Sequence, residues 1–271
     1  MIYKDFPETV GKKALVLISG GMDSRVCLQK AVRELGAENV VAACTFYGQK
    51  HDKEIELAAA AAQKLGVEFH KIDLSGVFSF SNDCTLLKSS EKDIEDTTYE
   101  NQMREKLKRG EALISSQMVP FRNGLFISYA TALALQLKCG YVVYGAHSDD
   151  SNVEFTDQEG NLRKACAYPD CSSAFIAAMG KAVSEGTGGE VELIAPIYNL
   201  TKSEVARLGQ RLGMTHDDFK NTWSCYRGEE KECLHCPTCY DKLKALRSIG
   251  FTDEELSEIF DATPEQISKI K

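Results

Sequence analysis

The sequence predicts an α/β protein with a doubly wound parallel sheet of five strands and a small zinc-binding helical extension. Three observations support this fold class. Short apolar runs alternate with segments of helical spacing, a glycine-rich turn follows the first run, and four cysteines cluster near the C-terminal end. Alternating strands and helices imply right-handed crossovers and therefore parallel strands.

The composition fits a globular protein of ordinary type. The chain has 271 residues, of which 43% are hydrophobic, enough for one sizeable core plus an appended element. Its net charge of −8 argues against direct binding of nucleic acid, which normally requires a basic face. We find neither a signal-peptide pattern nor an apolar stretch of about 18 residues, so we expect a cytoplasmic protein with no membrane partner.

The first half of the chain repeats a strand–helix unit. ALVLIS (14–19) is a β-branched-rich apolar run that ends in Gly-Gly, and residues 23–35 follow with helical spacing. The unit then recurs. We predict strands at 40–45 and 67–73, with an alanine-rich helix near 52–65 between them.

The second half continues the alternation after a polar stretch. Residues 75–119 are interpreted as a variable insertion with a helix near 98–109, and residues 151–167 as a second insertion. The further predicted elements are helix 124–139, strand 141–145, strand 191–195, helix 203–212 capped by Thr201, and helices that start at Thr252 and Thr263. We therefore place an ATP-binding α/β domain at 1–215 and a zinc-binding helical extension at 216–271.

SGGMDS (19–24) stands where the first predicted strand meets the first helix. At this edge of an α/β sheet, a helix N-terminus binds anions through its unpaired N–H groups. Gly20 and Gly21 would let the backbone approach phosphate oxygens. Ser19 and Ser24 would offer hydroxyl donors, and Asp23 could hold Mg²⁺. The predicted ATP-binding residues are Ser19, Gly20, Gly21, Met22, Asp23 and Ser24.

The loop differs from two common nucleotide motifs. It lacks the lysine of GxxxxGK[ST] and is not GxGxxG, which points away from γ-phosphate transferases and dinucleotide folds. A plain glycine turn, with Asp23 or Ser24 as a helix cap, is the alternative. SGGMDS resembles the pyrophosphatase loop of the N-type ATP pyrophosphatase (PP-loop) superfamily, whose members cleave ATP between the α- and β-phosphates. The resemblance implies adenylation with release of pyrophosphate and AMP.

Four cysteines have the spacing C-x₇-C-x₂-C-x₂-C and are predicted to bind zinc: Cys225, Cys233, Cys236 and Cys239. The two-residue spacings let successive thiolates converge on one tetrahedral ion. Four thiolates leave no open position, so we expect a structural zinc rather than one that activates water. Redox thiols or disulfides are the alternative. His235 lies among these cysteines and is expected to be exposed.

Further strings combine with the loop to identify a family. They are FYGQKHDKEI (46–55), VPFRNGLF (119–126), GAHSDD (145–150), YPDC (168–171), APIYNLTKSE (195–204) and TWSCY (222–226). With the cysteine triplet they closely resemble the 7-cyano-7-deazaguanine synthase family of queuosine and archaeosine precursor synthesis, over about residues 13–246. The resemblance implies an adenine nucleotide alpha hydrolase-like fold and an AMP-forming C–N ligase.

The resemblance also implies a reaction. The carboxylate of 7-carboxy-7-deazaguanine attacks the α-phosphate of ATP, and ammonia displaces AMP to give an amide. A second ATP activates the amide, and loss of AMP leaves the nitrile. A carboxylate is inert toward ammonia until its oxygen belongs to a good leaving group. The chain length leaves no room for a glutaminase domain, so we expect free ammonia or an external donor.

Site residues follow from the matching strings. Lys202 and Arg122, together with Asp23, are the predicted catalytic residues, because cations neutralise phosphate charge in the transition state. The predicted substrate-binding residues are Tyr47, Gln49, Phe121, Asn123, Tyr168 and Asp170. Taken singly, each has a plainer explanation as a core aromatic or an ion-pair partner. His51 and Glu54 could form a pocket pair or share one solvated helix face.

The chain departs from the family pattern on its expected acceptor side. Residues 151–167 precede YPDC, residues 172–174 (Ser-Ser-Ala) replace an arginine and an acidic residue, and Lys242 replaces an arginine. One alternative is a divergent relative that transfers the deazaguanine acid to an amine of a protein or other acceptor, as in antiviral defence. A binding module with a dead loop and a tRNA-modifying PP-loop enzyme are weaker alternatives. The resemblance also implies a homodimer.

Overall fold

The computed structural model describes residues 2–50, 53–79, 84–227 and 230–270, so His51 of the predicted pocket pair lies outside the described residues. Within them the strands are β1 (Ala14–Leu17), β2 (Val40–Phe46), β3 (Glu68–Asp73), β4 (Tyr141–Val143), β5 (Val153–Thr156), β6 (Leu162–Ala165) and β7 (Glu192–Ile194). The helices are α1 (Met22–Leu35), α2 (Lys53–Lys64), α3 (Ser75–Phe78), α4 (Tyr99–Lys108), α5 (Arg122–Gln136), α6 (Ser148–Ser151), α7 (Ser173–Gly186), α8 (Lys202–Arg211), α9 (His216–Lys220), α10 (Pro237–Arg247), α11 (Asp253–Ile259) and α12 (Pro264–Ser268).

Five parallel strands form the central sheet in the order β3-β2-β1-β4-β7, which confirms the predicted fold class. Ala14 of β1 pairs with Val40 of β2 on one side and with Tyr141 of β4 on the other. The chain winds outward from β1 in both directions, so the sheet changes winding direction between β1 and β4. In such sheets the ligand crevice lies at that point, beyond the carboxyl ends of the strands.

Helices cover both faces of the sheet. Ala14 and Val16 of β1 point toward the apolar cluster formed with α1, α2 and α8, whereas Leu15 and Leu17 point toward the cluster formed with α5 and α7. All four residues are buried. An apolar run without alternation is what a parallel strand covered on both faces requires.

The C-terminal helices share their core with the sheet domain. Phe219, Leu243 and Phe251 belong to the same buried cluster as Val26 of α1 and Val205 of α8. The predicted caps are confirmed, because the three threonines that precede α8, α11 and α12 each form a capping box: Thr201, Thr252 and Thr263. The division at residue 215 stays a prediction.

The insertion at 151–167 is an ordered hairpin of β5 and β6. Asp157 organises its turn by accepting the backbone N–H groups of Glu159 and Asn161 at 3.0 and 2.8 Å. Arg104 of α4, in the other insertion, donates its Nε–H to the Thr156 carbonyl at 2.9 Å. The two insertions therefore support each other.

The β5–β6 hairpin and the helices α3, α6, α7, α9 and α10 were not predicted, and several boundaries differ by one to three residues. Helix α7 has only Ile176 and Val183 fully buried and therefore carries a weak apolar stripe. Helix α5 starts at Arg122, two residues earlier than predicted, and Lys138 with φ +56° follows its end. No helix among the described residues is long and apolar enough to cross a bilayer.

We expect Asp218→Asn to destabilise the fold by about 3–5 kcal/mol, because it leaves a buried guanidinium without its counter-charge. Arg25 of α1 donates to Asp218 at 2.8 Å, and the two side chains are only 6% and 11% exposed. Chemical denaturation of the purified protein measures the loss. The control is Asp217→Asn, whose side chain is 73% exposed and which should change stability by less than about 0.5 kcal/mol. Equal losses in both variants would contradict this assignment.

Candidate functional site

A cavity of about 250 Å³ opens at the carboxyl ends of β1, β2 and β4, where the sheet changes winding direction. Its walls come from the SGGMDS loop, the end of β2, the start of α5, the GAHSDD string, the start of α8 and the TWSCY string. The lining includes Ser19, Gly21, Asp23, Ser24, Tyr47, Gln49, Glu54, Arg122, Asn123, His147, Asp150, Tyr168, Lys202, Trp223 and Tyr226. The fold thus gathers segments that are distant in sequence, including the start of α2 through Glu54 and the YPDC string through Tyr168.

The SGGMDS loop is held in shape by its two serines. The Ser19 backbone N–H donates to Ser24 Oγ at 3.0 Å, and Ser24 Oγ donates to the Gly21 carbonyl at 3.2 Å. Gly20 has φ +77°, and a Cβ there would lie 2.3 Å from the carbonyl oxygen of Glu54. Only glycine fits this position, because both its φ and its contact exclude a side chain. The Met22 side chain is buried in the core, so only its backbone N–H could contact a bound phosphate.

Lys202 and Asp23 form an ion pair on the wall of the cavity. Burial acts to raise the pKa of Asp23, but the Lys202 ammonium and His147 outweigh it and hold this pKa below its usual value. Burial likewise acts to lower the pKa of Lys202, and the charges of Asp23 and Asp150 reverse the shift. Both partners are therefore ionised at neutral pH.

His147 extends this pair into a buried cluster. Its Nε2 lies 3.5 Å from Lys202 Nζ, 3.5 Å from Asp150 Oδ2 and 3.8 Å from Asp23 Oδ2. The Lys202 backbone N–H donates to Asp149 Oδ2 at 2.7 Å, which fixes the start of α8 against the GAHSDD string. His147 and Asp150 had no predicted role, although the string that contains them was recognised.

Arg122 also lines the cavity. It donates from a terminal guanidinium nitrogen to the Tyr47 hydroxyl at 3.0 Å and lies over the rings of Tyr47 and Phe126, at 5.1 and 5.8 Å from their centroids. Burial acts to lower its pKa, but Tyr47 and Asp170 hold this pKa above its usual value. Arg122 is thus a fixed, half-buried cation that faces the cavity.

The predicted base-binding residues divide into three groups. Four of them line the cavity: Tyr47, Gln49, Asn123 and Tyr168. Asp170 lies behind this wall, where its Oδ2 accepts the Asn123 backbone N–H at 3.2 Å. Phe121 lies outside the cavity, with its ring 61% exposed and edge-on to Phe175 at 6.1 Å. Phe121 therefore does not join the other predicted substrate-binding residues at the cavity, since φ +53° at this residue turns the chain just before α5.

Three tyrosine hydroxyls meet at one side of the cavity. Those of Tyr99, Tyr168 and Tyr226 lie 2.9 to 3.1 Å apart, and Ser115 Oγ donates to Tyr168 at 3.1 Å. Burial raises the pKa of Tyr168 to about 12, so its hydroxyl stays protonated. The sequence gave no signal for this cluster, because its members come from α4, YPDC and TWSCY.

The four predicted zinc ligands converge. The Sγ atoms of Cys225, Cys233, Cys236 and Cys239 all lie within 4.8 Å of one another, and every one of these cysteines is buried. A tetrahedral ion with Zn–S bonds of about 2.3 Å needs sulfurs about 3.8 Å apart. The observed separations of 4.0 Å between Cys233 and Cys239 and 3.4 Å between Cys236 and Cys239 fit that geometry, so the cluster could hold zinc.

Backbone and side-chain contacts join the cysteine cluster to the cavity. The Cys233 backbone N–H donates to Cys225 Sγ at 3.3 Å, and Thr238 donates its hydroxyl to the Ser224 carbonyl at 2.7 Å. Ser224 and Thr238 also line the cavity. His235 is exposed, as predicted. A metal in this cluster would fix one wall of the cavity without entering it.

The family model described as "Queuosine biosynthesis protein QueC" matches residues 13–250 of the chain. This chain belongs to the QueC family. Its relatives include proteins named 7-cyano-7-deazaguanine synthase from three organisms. These are Marinomonas sp. (33% identical over 90% of this chain and 97% of the relative), Caldicellulosiruptor saccharolyticus (34% over 89% and 93%) and Archaeoglobus fulgidus (32% over 91% and 90%).

Two solved structures resemble the chain more distantly. The NH3-dependent NAD synthetase from Campylobacter jejuni is 18% identical with a TM-score of 0.42, and the match covers 95% of this chain and 82% of that one. The NMN synthetase from Francisella tularensis is 14% identical with a TM-score of 0.44, covering 91% and 84%.

Two departures from the QueC pattern have a structural explanation. Ser172 caps α7 by accepting the Phe175 backbone N–H at 3.2 Å, while Ser173 and Ala174 are exposed and do not line the cavity. The arginine and acidic residue that residues 172–174 replace were expected on the acceptor side of the site. The position of these residues does not support that expectation. Lys242 is fully buried and pairs with the buried Glu232 behind the cysteine cluster.

We expect Gly20→Ala to weaken binding of Mg²⁺–ATP by about tenfold to a hundredfold, since the new methyl group would displace the loop from α2. Titration calorimetry measures the affinity. The control is Gly66→Ala, which has a similar φ of +68° but meets no atom within 4 Å. It carries the same backbone strain and should bind normally. Equal weakening in both variants would mean that strain, and not the contact with Glu54, matters.

We expect the purified, chelator-free protein to contain stoichiometric zinc and Cys236→Ser to lose most of it, because a hydroxyl replaces a thiolate ligand. Elemental analysis by mass spectrometry measures both. Cys166→Ser is the control, since Cys166 lies outside the cluster and should keep the full metal content. A wild-type protein without metal would contradict the zinc assignment.

Proposed function

We propose that this protein uses ATP to adenylate 7-carboxy-7-deazaguanine and converts it with ammonia into 7-cyano-7-deazaguanine. One observation carries the proposal. Relatives named for this product are about 33% identical over about 90% of the chain, and the family-model match over residues 13–250 includes every segment that lines the cavity. The ATP loop, the cations of Lys202 and Arg122 and the aromatic wall are the parts that such a reaction needs.

The phosphate end of the reaction is assigned to the SGGMDS loop and Lys202. The substrate carboxylate attacks the α-phosphorus and pyrophosphate leaves, so negative charge builds up on the leaving oxygens. The loop's free N–H groups at the start of α1 and the Lys202 ammonium would stabilise that charge. Lys202 stays cationic because Asp23 and Asp150 support it.

Asp23 is also suited to hold Mg²⁺. Its Oδ1 is buried and has no hydrogen-bond partner among the described residues, and carboxylate oxygen is the ligand type that Mg²⁺ prefers. The ion would supply positive charge between phosphate oxygens. Asp23 would hold the ion with its carboxylate while its Oδ2 stays paired with Lys202.

The base end of the cavity is assigned to Tyr47, Gln49, Asn123 and Tyr168. Gln49 Oε1 accepts the Tyr47 backbone N–H at 2.8 Å, which orients its amide, and Asp170 fixes the backbone at Asn123. Arg122 contacts Tyr47 of this wall and lines the same cavity, where it could neutralise the α-phosphate. The cysteine cluster would hold a structural zinc.

Other parts of the sequence interpretation stay predictions. These are the homodimer, the domain division at 215 and a cytoplasmic location. Transfer of the activated acid to a protein amine has no support from the relatives named above, each of which is called a synthase.

Product identification tests the proposal. With 7-carboxy-7-deazaguanine, ATP, Mg²⁺ and ammonium, mass spectrometry should detect AMP and the nitrile. Lys202→Met removes the cation at similar length and should lower the rate about 10²–10³-fold. Lys181→Met, on the exposed face of α7, is the control and should be fully active. ATP consumption that ignores the deazaguanine acid would overturn the proposal, and a protein conjugate in place of the nitrile would favour the conjugating alternative.

A further inference from the structure

Glu54 is an ionisable residue in the cavity to which the reaction described above gives no task. It lies in the first turn of α2 and lines the cavity together with Gln49 and Arg122. Among the described residues, none hydrogen-bonds to its carboxylate. A carboxyl group in a ligand cavity without a partner is a candidate for contact with substrate.

The position of Glu54 is set by the ATP loop. Its backbone carbonyl lies against Gly20, so closely that a Cβ there would be 2.3 Å away. The first turn of α2 therefore touches the phosphate loop on one side and faces Arg122 on the other. The carboxyl carbon that is activated must lie between the phosphate loop and the base-binding residues. It is bonded both to the deazaguanine ring and to the oxygen that attacks the α-phosphorus.

The proton balance of the reaction requires a base at that carbon. Ammonium brings four protons, and the nitrile nitrogen keeps none. One proton leaves before attack and a second leaves as the N–C bond forms and the C–O bond to AMP breaks. After the second activation, the remaining two leave as the nitrile forms and the second AMP departs. Every one of these protons leaves the same nitrogen.

We propose that the Glu54 carboxylate binds the incoming ammonium and accepts protons from its nitrogen in these steps. The inference rests on the proposed function. The other carboxylates and the histidine of the cavity are engaged elsewhere, since His147 and Asp150 lie against Lys202 and Asp23 at the phosphate end. Glu54 supplies a negative charge for ammonium on the side where the carbon lies.

The charges around Glu54 support this assignment. The groups that face it are Arg122 from α5, Cys44 from β2, Tyr47 just after β2, and Glu232 from the extension. Burial raises the pKa of Glu54 to about 7, Arg122 opposes the shift and Glu232 adds to it. A base acts best when its pKa lies near the working pH. Its ionised form is the active one, so the rate of the ammonium step should rise with pH through about 7.

The test separates adenylation from the ammonium step in the full-length, zinc-loaded protein. Exchange of pyrophosphate into ATP that requires 7-carboxy-7-deazaguanine, measured without ammonium, reports adenylation. Amide and nitrile formation with ammonium chloride reports the second step. The variants are Glu54→Gln, which keeps the shape but cannot ionise, and Glu56→Gln, an exposed residue in the same helical turn as control.

We expect Glu54→Gln to exchange pyrophosphate within about twofold of wild type and to form amide about 10²–10⁴-fold more slowly. Its deficit should shrink at higher pH, where more of the added ammonia is already unprotonated. Glu56→Gln should match wild type in both assays. Equal loss of exchange and amide formation in Glu54→Gln, or undiminished amide formation, would overturn the inference. A wild-type protein without exchange that requires 7-carboxy-7-deazaguanine would overturn the proposed function itself.

Discussion

The buried ion pair between Asp23 and Lys202 is the interaction on which the site depends. Each residue lies in the first turn of a helix, α1 or α8, and each helix starts at the carboxyl end of the sheet. A lysine at a helix N-terminus is disfavoured by the helix dipole, whereas an aspartate there is favoured. Asp23 and the carboxylates of the GAHSDD string offset this cost and keep the ammonium in the cavity. The same arrangement leaves two helix N-termini facing one space, which suits an anion with several charges.

The sequence was sufficient to predict the α/β fold, because the hydrophobic periodicity of each strand and helix lies within a short segment. Strands β1 to β3 and their helices follow from runs of apolar residues and a few glycines, and every residue of β1 is buried between two layers. Their parallel direction then follows from right-handed crossovers, whereas the order β3-β2-β1-β4-β7 was not predicted. By contrast, the β5–β6 hairpin depends on the turn around Asp157 and on its contact with α4, neither of which shows as a pattern in the sequence.

The site was predictable where residues close together in the sequence contact the same ligand. The glycine loop and the cysteine spacing are of this kind, since neighbouring residues meet the same ligand. Phe121 shows the limit, because a single left-handed residue before α5 decides which way its ring points. Lys242 shows another. Lys242 replaces an arginine of the family pattern. Its ammonium is nevertheless buried against Glu232 and the Thr222 carbonyl, at 2.7 Å from the latter.

The three hydroxyls of Tyr99, Tyr168 and Tyr226 bear on how the family can vary in length. They belong to the first insertion, to the segment after the second insertion and to the cysteine-rich extension, and they satisfy one another in a closed ring. Any change in chain length must return these oxygens to the same point, or leave buried hydroxyls unpaired. Changes in the length of the second insertion are therefore expected to be tolerated best in the turn around residues 157–161, at the far end of the hairpin. Engineered changes to the length of the second insertion should therefore start from that turn.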